Sequence, residues 1–141
     1  MLNTVFTFYI FLVMSIIVGV HIYWLRGGLW PGNNYKDLID KVIGRGEEMP
    51  GFWAFIFVLI VFISMALYPL AVYYKMNLGI ENYTKYILLF FAVIFALRAI
   101  SMSIPFIGNR GSKVFLEYNK KYYAPLCVSL SVSYFYLFYI S

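Results

Sequence analysis

From Thr4 to Leu25 no lysine, arginine, aspartate or glutamate occurs, and the same holds from Phe52 to Tyr74 and from Ala124 to Ile140. A fourth apolar stretch, from about Tyr83 to Ile104, carries only Lys85 near its start and Arg98 near its end. A bilayer's hydrocarbon core takes about 20 helical residues to cross, and backbone amides in hydrocarbon must be satisfied within the segment. The pattern therefore predicts four transmembrane helices, at about 4–25, 52–74, 83–104 and 124–140, in a single all-α domain covering 1–141. A barrel strand would be half as long and strictly alternating, which Phe52 to Leu67 is not.

The connections carry patterns of their own. After Asn33-Asn34, a natural N-cap, Tyr35, Leu38, Ile39, Val42 and Ile43 recur at helical spacing, and Gly44 is a natural stop. Lys36–Asp40 and Asp37–Lys41 both have i,i+4 spacing. This predicts a short amphipathic interfacial helix in the first connection, apolar face toward the membrane. Ser112 can open another, with Val114, Phe115 and Tyr118 on one face. Pro105 should end the third span, and Pro125 should start or kink the fourth.

Composition agrees with the pattern. The chain is 63% hydrophobic and 12% charged, against about 25% charged in a soluble domain. A water-soluble chain of 141 residues could not bury that much apolar side chain. The start, Met1-Leu2-Asn3, has no basic n-region, so the first apolar run reads as a retained span.

Charge sets an orientation. The first connection holds Arg26, Lys36, Lys41 and Arg45, and the third holds Arg110, Lys113, Lys120 and Lys121. The second has only Lys75 and Lys85. Lys and Arg favour the cytoplasmic side, so loops 26–50 and 105–123 should be cytoplasmic and both termini should lie outside. Trp24, Trp30 and Trp53 then mark the cytoplasmic interface, and Tyr73, Tyr74, Tyr83 and Tyr86 the other. The net charge of +5 points to anionic lipid headgroups rather than nucleic acid.

Few residues offer chemistry. Arg98 either snorkels to the cytoplasmic headgroups or faces the bundle and binds an acidic group. Ala92, Ala96 and Ser103 form a small-residue stripe, which puts Arg98 nearly opposite Ala96 and off the tightest seam. His21, the only histidine, lies at the same depth; it serves as a polar helix–helix contact or as an acid–base group. Ser15 and Gly19 make a small-xxx-small pair on the other face of its helix. Gly27-Gly28-Leu29-Trp30-Pro31-Gly32 is a turn anchored by Trp30 or a cradle of amides for an anion, without the Lys-Ser or Lys-Thr of a phosphate loop. Glu47, Glu48 and Glu117 share this side, but their spacing matches no metal-ligand set, and no metal or cofactor is expected. The single Cys127 forms no internal disulfide; it is a packing residue or an acylation site. No Ser–His–Asp set is present, and no span has the full-length polar stripe of a channel.

Together, His21-Ile22-Tyr23-Trp24 with Gly27-Gly28, an arginine late in span three, and Tyr123-Ala124-Pro125-Leu126-Cys127 resemble an uncharacterised bacterial family of small four-helix membrane proteins, a domain of unknown function. The resemblance covers essentially the whole chain. It implies the fold and a bacterial inner-membrane setting, and no activity. Members carry an acidic residue a few positions before the Tyr-x-Pro-Leu-Cys segment; here that position is Asn119, with Glu117 as the substitute.

Two functions follow as expectations. One is a non-catalytic lipid-binding or accessory subunit with a membrane-protein partner or a second copy of itself. The other is a small intramembrane enzyme or carrier for an anionic amphipathic substrate. There Arg98 would bind the anion, His21 would move a proton, Glu117 would assist, and Trp24, Gly27, Gly28 and Tyr123 would line the site.

Overall fold

The structure is a computed structural model that describes residues 1–101 and 111–141. Ser103, Ile104, Pro105 and Arg110, and with them the expected end of span three, lie outside the described residues. The described chain is all-helical, and four of its helical segments are long and apolar enough to cross a membrane.

Helix α1 spans Leu2–Leu25, α2 Tyr35–Val42 and α3 Phe52–Tyr73. A 3-10 turn at Glu81–Tyr83 leads into α4, Thr84–Ser101. Helix α5, Lys113–Tyr118, a π turn at Asn119–Tyr123 and α6, Ala124–Ile140, follow without a break. The π turn has a local cause. Pro125 has no N–H to give the carbonyl of Lys121, and its ring crowds that carbonyl in an α-helix. Wider i→i+5 turns just before a proline relieve the crowding.

Helix α1 packs on α3, α4 on α6, and α1 also on α6, whereas α3 and α4 scarcely touch although a short loop joins them. The core runs between these pairs: Ile10 and Met14 from α1, Met65 and Ala66 from α3, Leu88, Ala92 and Phe95 from α4, and Leu130, Tyr134 and Leu137 from α6. Lipid is as apolar as these side chains, so close packing and hydrogen bonds hold the helices together. Tyr134 is the centre of that packing. It is 0% exposed, its ring stacks on Phe95 with centroids 5.8 Å apart, and Phe91 meets it edge-on at 5.5 Å.

The α4 seam is Leu88, Ala92, Phe95 and Ala99, not the expected stripe through Ala96. Steps of four and three keep those positions on one face, and they bring Arg98 beside the seam rather than opposite it. Ser131 Oγ crosses the same seam to donate to the Ala92 carbonyl at 2.8 Å. Ser15 and Gly19 face outward, with open space where a β-carbon on Gly19 would lie.

Helix α2 is where its sequence placed it, but its apolar face is covered by the chain itself. Leu38 and Ile39 are each 1% exposed and the helix packs on α5, not apolar face down on lipid. Gly44 explains the closeness of the fit. Its φ is +80°, and a β-carbon there would collide with the Phe115 ring. Its carbonyl accepts the Ser112 N–H at 2.6 Å, and Ser112 Oγ donates to the Asp40 carbonyl at 2.7 Å. Of the two expected charge pairs only Asp37–Lys41 forms, at 2.8 Å.

That pair gives α2 a defined pH response. The Lys41 ammonium, and after it the Asn33 N–H, holds the Asp37 carboxyl below its ordinary value of 3.8. A carboxyl depressed on folding stabilises the fold above its ordinary value, and the contribution disappears as pH falls through the depressed one. Hydrogen-exchange protection of residues 33–44 should therefore stay level from about pH 8 to 5 and fall only below about pH 4. Asp37→Asn should flatten the curve; a variant that keeps the acid-dependent drop would assign it to another group.

Candidate functional site at the capped end of the bundle

The first and third connections meet over one end of the bundle, and the residues singled out in the sequence divide there into two groups. The first surrounds His21. Its Nδ1–H donates to the Ile17 carbonyl of its own helix at 2.8 Å, which leaves Nε2 as the other ring nitrogen able to meet a partner. Aromatic rings wall it: Phe62 at 5.1 Å, Trp24 at 5.2 Å and Phe55 at 6.4 Å. Three rings and one backbone carbonyl suit a histidine that packs α1 against α3.

The glycine turn is tied down by the same helix. The N–H groups of Gly27 and Gly28 both go to carbonyls at the end of α1, those of Trp24 and Tyr23, at 2.9 Å each. This is the double bond of a Schellman cap, with Gly27 at φ +87°. A β-carbon on Gly28 would run into the Tyr23 ring. Trp24 Nε1–H donates to the Trp30 carbonyl at 2.7 Å. The amides of Gly27 and Gly28 are thus given to the helix end rather than held open for an anion; the turn closes the helix.

The second group surrounds Arg98. Its Nη1 donates to Asn119 Oδ1 at 3.0 Å, so the guanidinium faces the π turn and the start of α6. Asn119 is 5% exposed. Tyr123 and Cys127 lie within electrostatic reach of Arg98. Tyr123 Oη donates to the Lys41 carbonyl at 3.0 Å, tying this group to α2, and its ring packs with Phe115 at 6.1 Å and Tyr118 at 6.3 Å.

Lys41 joins the two groups. Its ammonium donates to Asp37 at 2.8 Å and to the Pro31 carbonyl of the glycine turn at 3.1 Å, and sits 5.9 Å from the Tyr118 ring centroid. Among the described contacts His21 and Arg98 share no neighbour. Glu117 is exposed and makes no ion pair among the described residues. No cluster of three metal-ligating side chains occurs among them either.

The charge balance at Arg98 is unusual. The chain has six acidic residues. Asp37 is spent on Lys41, Asp40 lies on α2 and makes no ion pair among the described residues, Glu81 is at the other end of α4, and Glu47, Glu48 and Glu117 are exposed. Residues 102–110 contain neither Asp nor Glu. Arg98 is thus a half-buried cation whose partner is a neutral amide.

The arrangement spans most of the chain, and so does the family likeness. A family model, protein of unknown function DUF3995, matches residues 14–134. The chain belongs to this family. No curated protein and no solved structure matches it. The matched DUF3995 region takes in both groups, from His21 through Arg98 to Cys127.

Sequence reasoning missed Lys41 and Ser112 as bridging residues. Lys41 read as half of an i,i+4 pair with Asp37, and its second acceptor, Pro31, is brought near by the turn. Asn119 stood out only through the resemblance, which implies an acidic residue there; as an amide it gives Arg98 no counter-ion.

Proposed function

We propose that this chain is a non-catalytic, multi-pass protein of the bacterial inner membrane that holds an anionic lipid headgroup through Arg98. Both termini lie outside, and the end capped by α2 and α5 faces the cytoplasm. The observation that carries the reading is the Arg98 guanidinium, half-buried and bonded among the described residues to the neutral amide of Asn119. A cation removed from water is costly without an opposite charge, and a headgroup phosphate supplies one. The many Lys and Arg of the two connections favour the same ligand.

The enzymatic alternative has less support. It needs His21 to face the Arg98 site, whereas the contacts of His21 are aromatic rings and its own helix. In the accessory-subunit version, the bound lipid stabilises the surface that a partner or a second copy meets.

The test is native mass spectrometry of the protein released from nanodiscs of phosphatidylglycerol and phosphatidylcholine. The wild type should keep phosphatidylglycerol, and Arg98→Gln should lose about tenfold of that retention, since a hydrogen bond to a charged group contributes roughly 1.5–3 kcal/mol. His21→Ala should leave retention unchanged. Equal retention by Arg98→Gln and wild type would remove the proposed ligand.

A further inference from the structure

A cavity of about 990 Å³ lies at the opposite end of the bundle, where α3 and α4 scarcely touch. Its walls are Tyr68 and Val72 of α3, Thr84 and Lys85 of α4, and Phe138 of α6, with Lys75 from the connecting loop. Deep in it, Tyr68 Oη donates to Thr84 Oγ1 at 3.1 Å.

Lys75 and Lys85, the two cations of the second connection, both line this cavity. Neither has a carboxylate within ion-pair distance among the described residues. Glu81 also lines it, but its Oε1 is spent on the turn, accepting the N–H groups of Leu78 at 2.7 Å and Gly79 at 3.1 Å. Ser141 lines it too, so the pocket combines an apolar wall, two ammonium groups beyond ion-pair distance of the described carboxylates, the Ser141 end of α6 and an acid turned to its own backbone.

Lys75 is held there against its backbone preference. Its N–H bonds to the Val72 carbonyl at 3.1 Å, and the next amide, Met76, to Ala71 at 2.9 Å. That is again a Schellman cap, whose left-handed position normally holds glycine. Here Lys75 takes it at φ +53°, a conformation unfavourable for a side-chain-bearing residue.

We infer that this cavity is a second binding site, for a single-chain or double-chain amphiphile with an anionic head. The head, a carboxylate or a phosphate, sits between Lys75 and Lys85, and the acyl chain lies along Val72 and Phe138 in the gap between α3 and α4. The site is independent of Arg98, which is at the other end of α4.

The backbone at Lys75 supplies a clean variant, because Lys75→Gly removes the ammonium and relieves the left-handed residue. The full chain in phosphatidylcholine nanodiscs would be titrated with oleate, with dioleoyl phosphatidylglycerol and with uncharged oleyl alcohol, and binding read by native mass spectrometry. At least one anionic probe should bind the wild type about tenfold or more above the alcohol, as expected for a charge contact of about 1.4 kcal/mol or more. The capped-end site is removed by Arg98→Gln, and the preference should persist in that background; the probe that still binds there names the head as carboxylate or phosphate. Adding Lys75→Gly/Lys85→Gln to Arg98→Gln should remove the preference. No preference in the wild type, or a preference in the Arg98→Gln background that survives Lys75→Gly/Lys85→Gln, would overturn the inference. Loss in Arg98→Gln alone would assign the anion to the capped end.

Discussion

Replacing Tyr134 by phenylalanine should cost this bundle about 1–3 kcal/mol, the penalty of an orphaned buried acceptor, although the ring is preserved. The reason is Pro69, four residues after Met65 and still inside α3, near its C-terminal end. In an uninterrupted helix the Met65 carbonyl would accept the N–H of residue 69, and proline has none. Tyr134 Oη donates to that carbonyl instead, at 2.7 Å, so a hydroxyl from α6 replaces the missing backbone donor. Hydrocarbon offers no water to take over. An ordinary interhelical hydrogen bond in a membrane averages about 0.6 kcal/mol because the groups find other partners; Met65, facing a proline, lacks the i+4 donor of its own helix.

A double-mutant cycle checks this. In a Pro69→Ala background the new amide serves Met65, and Tyr134→Phe should then cost no more than about 0.6 kcal/mol. Reversible unfolding in mixed micelles gives the four stabilities. Equal costs of Tyr134→Phe in the two backgrounds would show that the hydroxyl is not standing in for the proline's missing N–H.

Pro69 and Tyr134 also show where sequence stops being informative. The four helices were legible because long uncharged runs have one solution in a bilayer, and α2 was legible from its spacing and caps. Helix pairing was not. Each long helix is apolar on all sides, so no face announces its partner, and Ala92 could pair with Ala96 or with Phe95 and Ala99. Rings decide between these, because Phe95 has Tyr134 to stack on. Likewise α2 had an apolar face fit for lipid or for protein. The Gly44–Phe115 fit, which joins positions 71 residues apart, settles it. Arg98 had two directions open to it, and the choice rests on Asn119, across a turn whose π geometry no periodicity reveals.

Asn119 therefore offers the sharpest separation between a structural and a ligand-binding Arg98. Asn119→Asp changes one amide nitrogen to oxygen, keeps the 3.0 Å contact to Nη1, and gives the guanidinium the counter-ion it lacks. If Arg98 holds a lipid phosphate, an internal carboxylate should compete for the same charge and repel the headgroup. Phosphatidylglycerol retention should fall about tenfold or more, as in Arg98→Gln, while thermal stability holds or rises. Arg98→Gln should instead lower stability, because Asn119 loses its charged donor. A purely structural Arg98 predicts otherwise: Asn119→Asp would tighten the pair and leave lipid retention at the wild-type level. Stability and retention should thus move together in Arg98→Gln and apart in Asn119→Asp, a divergence that a loss of folding cannot produce.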